Sequence, residues 1–358
     1  MVRVGILGAA GYTGGELLRI LINHPEVEIV FANSESNAGN RICDVHEGLL
    51  GDTELCFTSE MPFDQVDVIF FCFGHGKSEA FLKEHEIPAS VKIIDLAQDF
   101  RLAQADLKAG KEDTTTGGIK LSQWVYGLPE IHREAIRNCQ YLANPGCFAT
   151  CIQEGLLPLA KAGLLYNDIA VNAITGSTGA GQKPGATTHF SWRNDNFSVY
   201  KLFTHQHLHE ITQTLNELRP EGTPRVVDTL NEGFNADGIS VDFIPYRGDF
   251  ARGIFCTEVV KLSQPADKEQ IVALYKDFYK DEFFVRALDM KVLPDVKDVN
   301  GSNFIEVNGV YDKDTGLIKL FSAQDNLGKG AALQAIQAFN AMFGLDEGTG
   351  LINLVRGV

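Results

Sequence analysis

Val2-Arg3-Val4-Gly5-Ile6-Leu7 runs into Gly8-Ala9-Ala10-Gly11-Tyr12-Thr13-Gly14-Gly15, and this stretch decides the fold of the first half of the chain. The short apolar run fits a strand buried on both faces of a parallel sheet. Leu17, Leu18, Leu21 and Ile22 then fall on one side of a helix that ends before Pro25, and residues 27–32 read as a second strand. Together these make a βαβ unit. Glycines at 8, 11 and 14 let the main chain approach a pyrophosphate at the helix N-terminus, so the GxxGxxG turn reads as a dinucleotide site. Gly8, Ala10, Gly11, Tyr12, Thr13 and Gly14 are its expected contacts.

The second strand bears on the cofactor. An NAD site usually carries Asp or Glu at its end, for the ribose hydroxyls. Here the strand ends Phe31-Ala32-Asn33-Ser34, with no carboxylate before Glu35. Ser34 and Arg41 suit a 2′-phosphate instead, and NADP is the expected cofactor. Residues 66–73 and 92–96 read as further strands of a Rossmann-type, doubly wound parallel α/β sheet. Lys77 and Arg101 follow their carboxyl ends as candidate anion binders, and His75 reads equally as a loop hydrogen-bonding residue or as one that does chemistry.

Asn144-Pro145-Gly146-Cys147-Phe148-Ala149-Thr150 carries the chemistry. Pro145 and Gly146 stop what precedes, and a helix is expected from Phe148 onward. A thiol at a helix N-terminus meets unsatisfied N–H groups and the positive end of the dipole, both of which favour the thiolate. Cys147 is therefore a candidate nucleophile, against the alternative of a buried structural cysteine. Beyond it, strands at 169–175, 238–245 and 254–262 mix with helices at 208–218 and 268–278. That mixture predicts an α+β domain on a mostly antiparallel sheet. The loop 176–181 reads as flexible, and a helix at 330–343 is expected to return to the first domain. The expected domains are 1–146 with 326–358, for the dinucleotide, and 147–325, for substrate and oligomer contacts.

Thr204-His205-Gln206-His207-Leu208-His209-Glu210 is the second chemical feature. Alternate histidines share a face in an extended segment, which would suit a metal. No partner cluster of Cys, Asp or His stands out elsewhere, so no metal is expected. A general base for the thiol is the better reading, since imidazole titrates near neutrality. His207 or His205 would serve.

Composition sets outer bounds. A net charge of −16 argues against nucleic acid or an anionic membrane as partner, and leaves a small-molecule substrate. No apolar run is long enough to span a bilayer, and no signal peptide is expected. Seven cysteines, an odd number without paired spacing, read as reduced thiols in the cytoplasm.

With these residues in hand, the chain resembles the N-acetyl-γ-glutamyl-phosphate reductases of arginine biosynthesis. The likeness rests on the glycine turn, Asp95-Leu-Ala-Gln-Asp-Phe-Arg-Leu102, Val125-Tyr-Gly-Leu-Pro-Glu130 and the Cys147 motif. Gly176-Ser-Thr-Gly-Ala-Gly181, His205-Gln-His207 and Asp325-Asn-Leu-Gly-Lys-Gly-Ala-Ala332 extend it. The resemblance implies a cysteine thioester mechanism with hydride from NADPH, and a homo-oligomer, dimer or tetramer. It places Gly176, Gly179, Asp325, Asn326 and Lys329 among cofactor contacts, and Arg101 near substrate. Two segments depart from the family pattern, Gln182-Lys183-Pro184 and Phe243-Ile-Pro-Tyr-Arg-Gly248. Arg247, with Lys183, could grip a carboxylate on the substrate's acyl group, where acetyl has none. Two other readings stay open: a semialdehyde dehydrogenase of the aspartate type, and a non-catalytic NADP-binding redox sensor with Cys147 as its reporter thiol.

Overall fold

The computed structural model describes residues 1–233, 237–289 and 291–352. Its described residues divide into two units, Met1–Pro145 with 331–352, and Gly146–Gly330.

In the first unit the main sheet is built from β1 (Val2–Leu7), β2 (Val27–Asn33), β3 (Val68–Phe71), β4 (Lys92–Asp95), β5 (Trp124–Tyr126) and β6 (Tyr141–Ala143). They pair in the order β2-β1-β3-β4-β6-β5, every pair parallel. The order turns back between β1 and β3, and a crevice at such a point, outside the carboxyl ends, is where these sheets bind ligands. Val4, Ile6, Leu7 and all of Val68–Phe71 are buried, as expected of strands covered on both faces. Strand β3 is shorter than the apolar run 66–73 because the chain after Cys72 turns into exposed Gly74-His75-Gly76. Strands β5 and β6, three residues each, are too short to leave a periodic signal.

Helix α1 (Tyr12–Leu21) buries Leu17, Leu18, Ile20 and Leu21; α2 (Ser78–Glu84) follows β3, and α3 (Pro129–Asn138) follows β5. The terminal helix Leu333–Met342 is buried at every position and packs on α1 and α3. Its Phe339 ring lies 5.9 Å from both Phe70 and His24. Buried amides need partners, and Asn340 takes His24 at 3.1 Å while Gln337 takes Glu347 at 3.0 Å. A π-helical turn, Gly328–Ala332, occupies the start of the helix expected at 330–343.

The second unit begins with α4 (Cys147–Lys161), followed by β7 (Ile169–Thr175), β8 (Ser198–Val199), α5 (His207–Leu218) and β9 (Val226–Val227). Then come β10 (Ile239–Arg247), β11 (Ile254–Lys261), α6 (Lys268–Phe278), β12 (Val285–Ala287), β13 (Ile305–Asp312) and β14 (Leu317–Gln324). The sheet runs β8-β10-β7-β11-β14-β13-β12, with β9 also on β10. Its centre, β7-β11-β14-β13, is antiparallel, but β10 lies parallel to β7, β9 to β10 and β12 to β13. The sheet is thus mixed but mostly antiparallel, as expected, with four of its seven described strand pairs antiparallel. Strand periodicity is the same in both directions; long connections such as the one carrying α5 permit the parallel pairs. Helix α4 covers one face, packing on α5 and on β11, β13 and β14. The other face, with Ile174, Tyr246, Phe255, Val259 and Phe321, stays half-exposed.

Candidate active site

Cys147 is the first residue of α4, one earlier than the sequence suggested, with Gly146 as its extended N-cap. No acidic residue sits in the helix's own first turn, whose free N–H groups present the positive helix end to the thiol. Three contacts fix this turn. The Gly146 N–H donates to Glu210 Oε2 at 2.8 Å, and Gln324 Nε2 donates to the Cys147 carbonyl at 2.7 Å. Gly330 packs so tightly that a Cβ there would lie 2.8 Å from the Cβ of Cys147.

The histidines stand beside this turn. His207 opens α5, and its Nε2 lies 3.9 Å from Glu210 Oε1, one helical turn on. The same buried carboxylate therefore holds the turn before Cys147 with one oxygen and faces His207 with the other. Gln153 in turn donates to the Glu210 carbonyl and to Thr214, so α4 and α5 are locked together at this level. His205 sits among aromatic rings, with centroids 5.4 Å from Phe148, 5.8 Å from Tyr200 and 5.2 Å from Phe243. Its Nδ1 accepts the His207 main-chain N–H at 3.4 Å. His209 leaves the cluster for Asp228, at 2.6 Å. Among the described residues no group of three His, Cys, Asp or Glu side chains is arranged to hold a metal ion, and no helix is long and apolar enough to cross a membrane.

Glu210 was not singled out from the sequence. The signal existed, since three residues beyond His207 on a helix is the same face. What could not be read was Gly146, 64 positions away.

In the first unit, Gly8 has φ +73, and a Cβ on it would meet the Cys72 carbonyl at 2.7 Å. A Cβ on Gly14 would strike the Ala9 main chain at 2.6 Å, so α1 sits directly against the end of β1. A Cβ on Gly11 would meet, among the described residues outside its own helix and chain neighbours, just the Gly8 carbonyl at 3.5 Å, which leaves that side of the turn open. The first turn of α1 holds no acidic residue; in it Tyr12 is exposed, Thr13 is half-buried, and Ala10 just before is half-buried too. This cradle fits a dinucleotide's pyrophosphate. At the end of β2 the Asn33 amide donates to the Thr58 carbonyl, and the Ser34 hydroxyl accepts from Asn37 at 3.2 Å. Arg41 is exposed and paired with Asp44 at 2.8 Å, an arrangement that exchanges readily for a stronger anion.

Other residues named from the sequence have supporting contacts. Loop 176–181 is pinned rather than free: Ser177 and Thr178 N–H groups donate to the Phe250 and Ala251 carbonyls, and Asn326 Nδ2 donates to Thr178 Oγ1 at 3.0 Å. Gly179 lies 3.7 Å, measured from its missing Cβ, from that Asn326 amide. Asp325 accepts from Arg252 Nε and the Gly301 N–H, both at 2.6 Å, and Lys329 is wholly buried. Arg101 is buried, donating through Nε to the Asn144 carbonyl at 2.8 Å and through Nη2 to that of Leu96 at 2.9 Å. It thereby braces the end of β6. Lys77 and Lys183 are exposed; Arg247 is half-buried, its Cζ 4.4 Å from the centroid of the Tyr200 ring.

Two family profiles match, described as semialdehyde dehydrogenase, NAD binding domain, over residues 3–139 and semialdehyde dehydrogenase, dimerisation domain, over 147–326. Among solved structures, aspartate semialdehyde dehydrogenase II of Vibrio cholerae, complexed with ASA, is similar at TM-score 0.67 and 20% identity, covering 96% of this chain and 98% of that one. The Candida albicans aspartate semialdehyde dehydrogenase with NADP reaches 0.65 at 16% identity, over 96% and 98%. These likenesses establish the fold. Sequence relatives are nearer: a Phocaeicola vulgatus protein named N-acetyl-gamma-glutamyl-phosphate reductase is 50% identical over 98% of both chains, and one of the same name from Bacteroides fragilis is 49% identical over 98% of both. With the cysteine turn, the histidines and the glycine cradle all in place, the chain belongs to the N-acetyl-γ-glutamyl-phosphate reductase family.

Proposed function

We propose that this enzyme reduces an N-acyl-γ-glutamyl phosphate to N-acyl-glutamate 5-semialdehyde, with release of phosphate, through a thioester on Cys147. The observation that carries this reading is the shared Glu210 carboxylate, which ties the Cys147 turn to His207. A redox sensor has no use for such a link; a nucleophile with an oriented base does.

His207 takes the thiol proton, and the Cys147 sulfur bonds to the acyl carbon as the carbon–oxygen bond to phosphate breaks. When bound, the nicotinamide supplies hydride to that carbon. His207, still holding its proton, is placed to give it to the carbonyl oxygen and to take it back as the Cys147 thiolate leaves the aldehyde. His207 suits the role better than His205 because it faces a carboxylate that stabilises the imidazolium, whereas His205 Nδ1 is occupied as a main-chain acceptor. Gly8, Gly11 and Gly14 with the N-terminus of α1 hold the cofactor's pyrophosphate. NADP is the form favoured, because Asn33 stands where an NAD site has its carboxylate and Ser34 and Arg41 lie beyond it. The half-exposed sheet face with Phe255 and Phe321 is the surface through which two copies pair; light scattering at the mass of a monomer would contradict that. All seven cysteines are free thiols, which fits the reducing cytoplasm.

The test is phosphate-dependent reduction of NADP⁺ with N-acetylglutamate 5-semialdehyde, alongside aspartate semialdehyde. Turnover of the first, lost when phosphate is omitted, is expected. Preference for aspartate semialdehyde would instead favour the aspartate-type reading.

A further inference from the structure

The site described above uses Cys147, His207 and Glu210 and leaves two arginines unexplained. Arg193 closes the short helix Phe190–Arg193 and is only 7% exposed. Its Nη2 approaches the Phe250 carbonyl at 3.4 Å, while its Nε is buried without a hydrogen-bond partner among the described residues. A buried guanidinium donor is costly to leave unmatched. A second guanidinium makes it more so: burial and then the charge of Arg247 hold Arg193 below the usual arginine range, with Asp249 opposing them. Asp249 is itself engaged, accepting the Asp195 N–H at 2.7 Å.

Arg247 is fixed in place. Its Nη1 donates to Thr187 Oγ1 at 3.1 Å, and its Cζ stacks 4.4 Å from the centroid of Tyr200. The Tyr200 ring reaches His205 at 5.8 Å, and its phenol, raised chiefly by burial, is also influenced by Cys147 and by Arg247. Arg247 therefore stacks on a ring that borders the His205 cluster, and Arg193 lies against the segment three residues beyond Arg247.

We infer that Arg193 and Arg247 form a carboxylate-binding subsite beside Cys147. The inference rests on the reading of Cys147 as the nucleophile. Two like charges held together, one with an unmatched buried donor, fit an anion between them, and planar guanidinium forks match carboxylate geometry. The separation by the Tyr200 ring sets the subsite apart from the reacting carbon, where phosphate leaves, and suits the substrate's far end. That end carries carboxylate in two places: on the α-carbon, in every N-acylglutamyl substrate, and on the acyl group where that group is a diacid.

The experiment compares unmodified protein with Arg247→Gln and Arg193→Gln on three aldehydes. N-acetyl-4-aminobutanal has no carboxylate, N-acetylglutamate 5-semialdehyde has one, and N-succinylglutamate 5-semialdehyde has two. The ratio of kcat/KM for carboxylate-bearing over carboxylate-free aldehyde is expected to fall about ten- to a hundredfold in the variants, mostly through KM. A fall shared by the acetyl and succinyl substrates places the α-carboxylate in the subsite; a fall confined to succinyl places the acyl carboxylate there. An unchanged ratio in Arg247→Gln, the half-exposed member and so the safer variant to fold, overturns the proposal. Calorimetric titration with N-acetylglutamate and N-succinylglutamate reads the same subsite without turnover. Binding that is weakened in the variants supports the subsite even if none of the aldehydes is oxidised, in which case the nucleophile reading alone fails; unchanged binding overturns it.

Discussion

Glu210 does two jobs with one carboxylate, and separating them is an experiment at the level of a single residue. Glu210→Gln keeps an oxygen for the Gly146 N–H and removes the charge facing His207; Glu210→Ala removes both. If the carboxylate orients and stabilises the imidazolium, Glu210→Gln is expected to lower kcat roughly tenfold or more at nearly unchanged KM. Glu210→Ala is expected to cost considerably more, because the turn that presents Cys147 loses its anchor as well. Equal activity of Glu210→Gln and unmodified protein under steady-state assay would remove Glu210 from the mechanism. The nucleophile itself was legible from sequence because Pro145-Gly146 must break structure and the residues after it must resume it. Glu210 and the Arg193–Arg247 pair were not, since each depends on residues brought together only by tertiary folding.

Among the elements, the βαβ start was the most legible part of the fold. A buried strand, a glycine turn and an amphipathic helix are all local signals, and β1, α1 and β2 follow them closely. The direction of strand pairing in the second sheet has no local signal, so a mostly antiparallel sheet was legible but not which of its pairs run parallel. The loop 176–181 was read as flexible from its glycines; the main-chain bonds to Phe250 and Ala251 that hold it come from a distant segment. The end of β2 makes the cofactor preference testable. Arg41 is exposed, so its replacement should leave the fold unaffected. Arg41→Ala is expected to weaken NADPH binding by about ten- to a hundredfold, the worth of a charge-assisted phosphate contact, and to leave NADH nearly unaffected. Fluorescence titration with both cofactors measures this, and equal losses for the two would contradict it.

For the molecule as a whole, two buried carboxyl groups make stability depend on pH. Burial pushes Glu258 up to about 8 from an ordinary value of 4.5, with Cys256, Cys151 and Tyr275 around it. Burial likewise pushes Asp95 up to about 7. The folded protein keeps a proton that the unfolded chain gives up, so the contribution is whole below the unfolded value and is lost as pH rises through the folded one. Between about pH 5 and 8, stability should fall with rising pH by up to roughly 1.4 kcal/mol per pH unit for each group. Glu258→Gln, neutral throughout, is expected to flatten the dependence of Tm on pH across that window, leaving the Asp95 share. A slope as steep as in unmodified protein would show that Glu258 ionises normally in the fold. A covalent intermediate on Cys147 can be observed directly. Intact-protein mass spectrometry after mixing with N-acetyl-γ-glutamyl phosphate, without nicotinamide cofactor, should show one added acyl group. Peptide mapping should place it on Cys147, and Cys147→Ser should show none while Cys151→Ser still does. Full turnover in the complete assay with no acyl adduct on Cys147 would rule out a thioester at that residue.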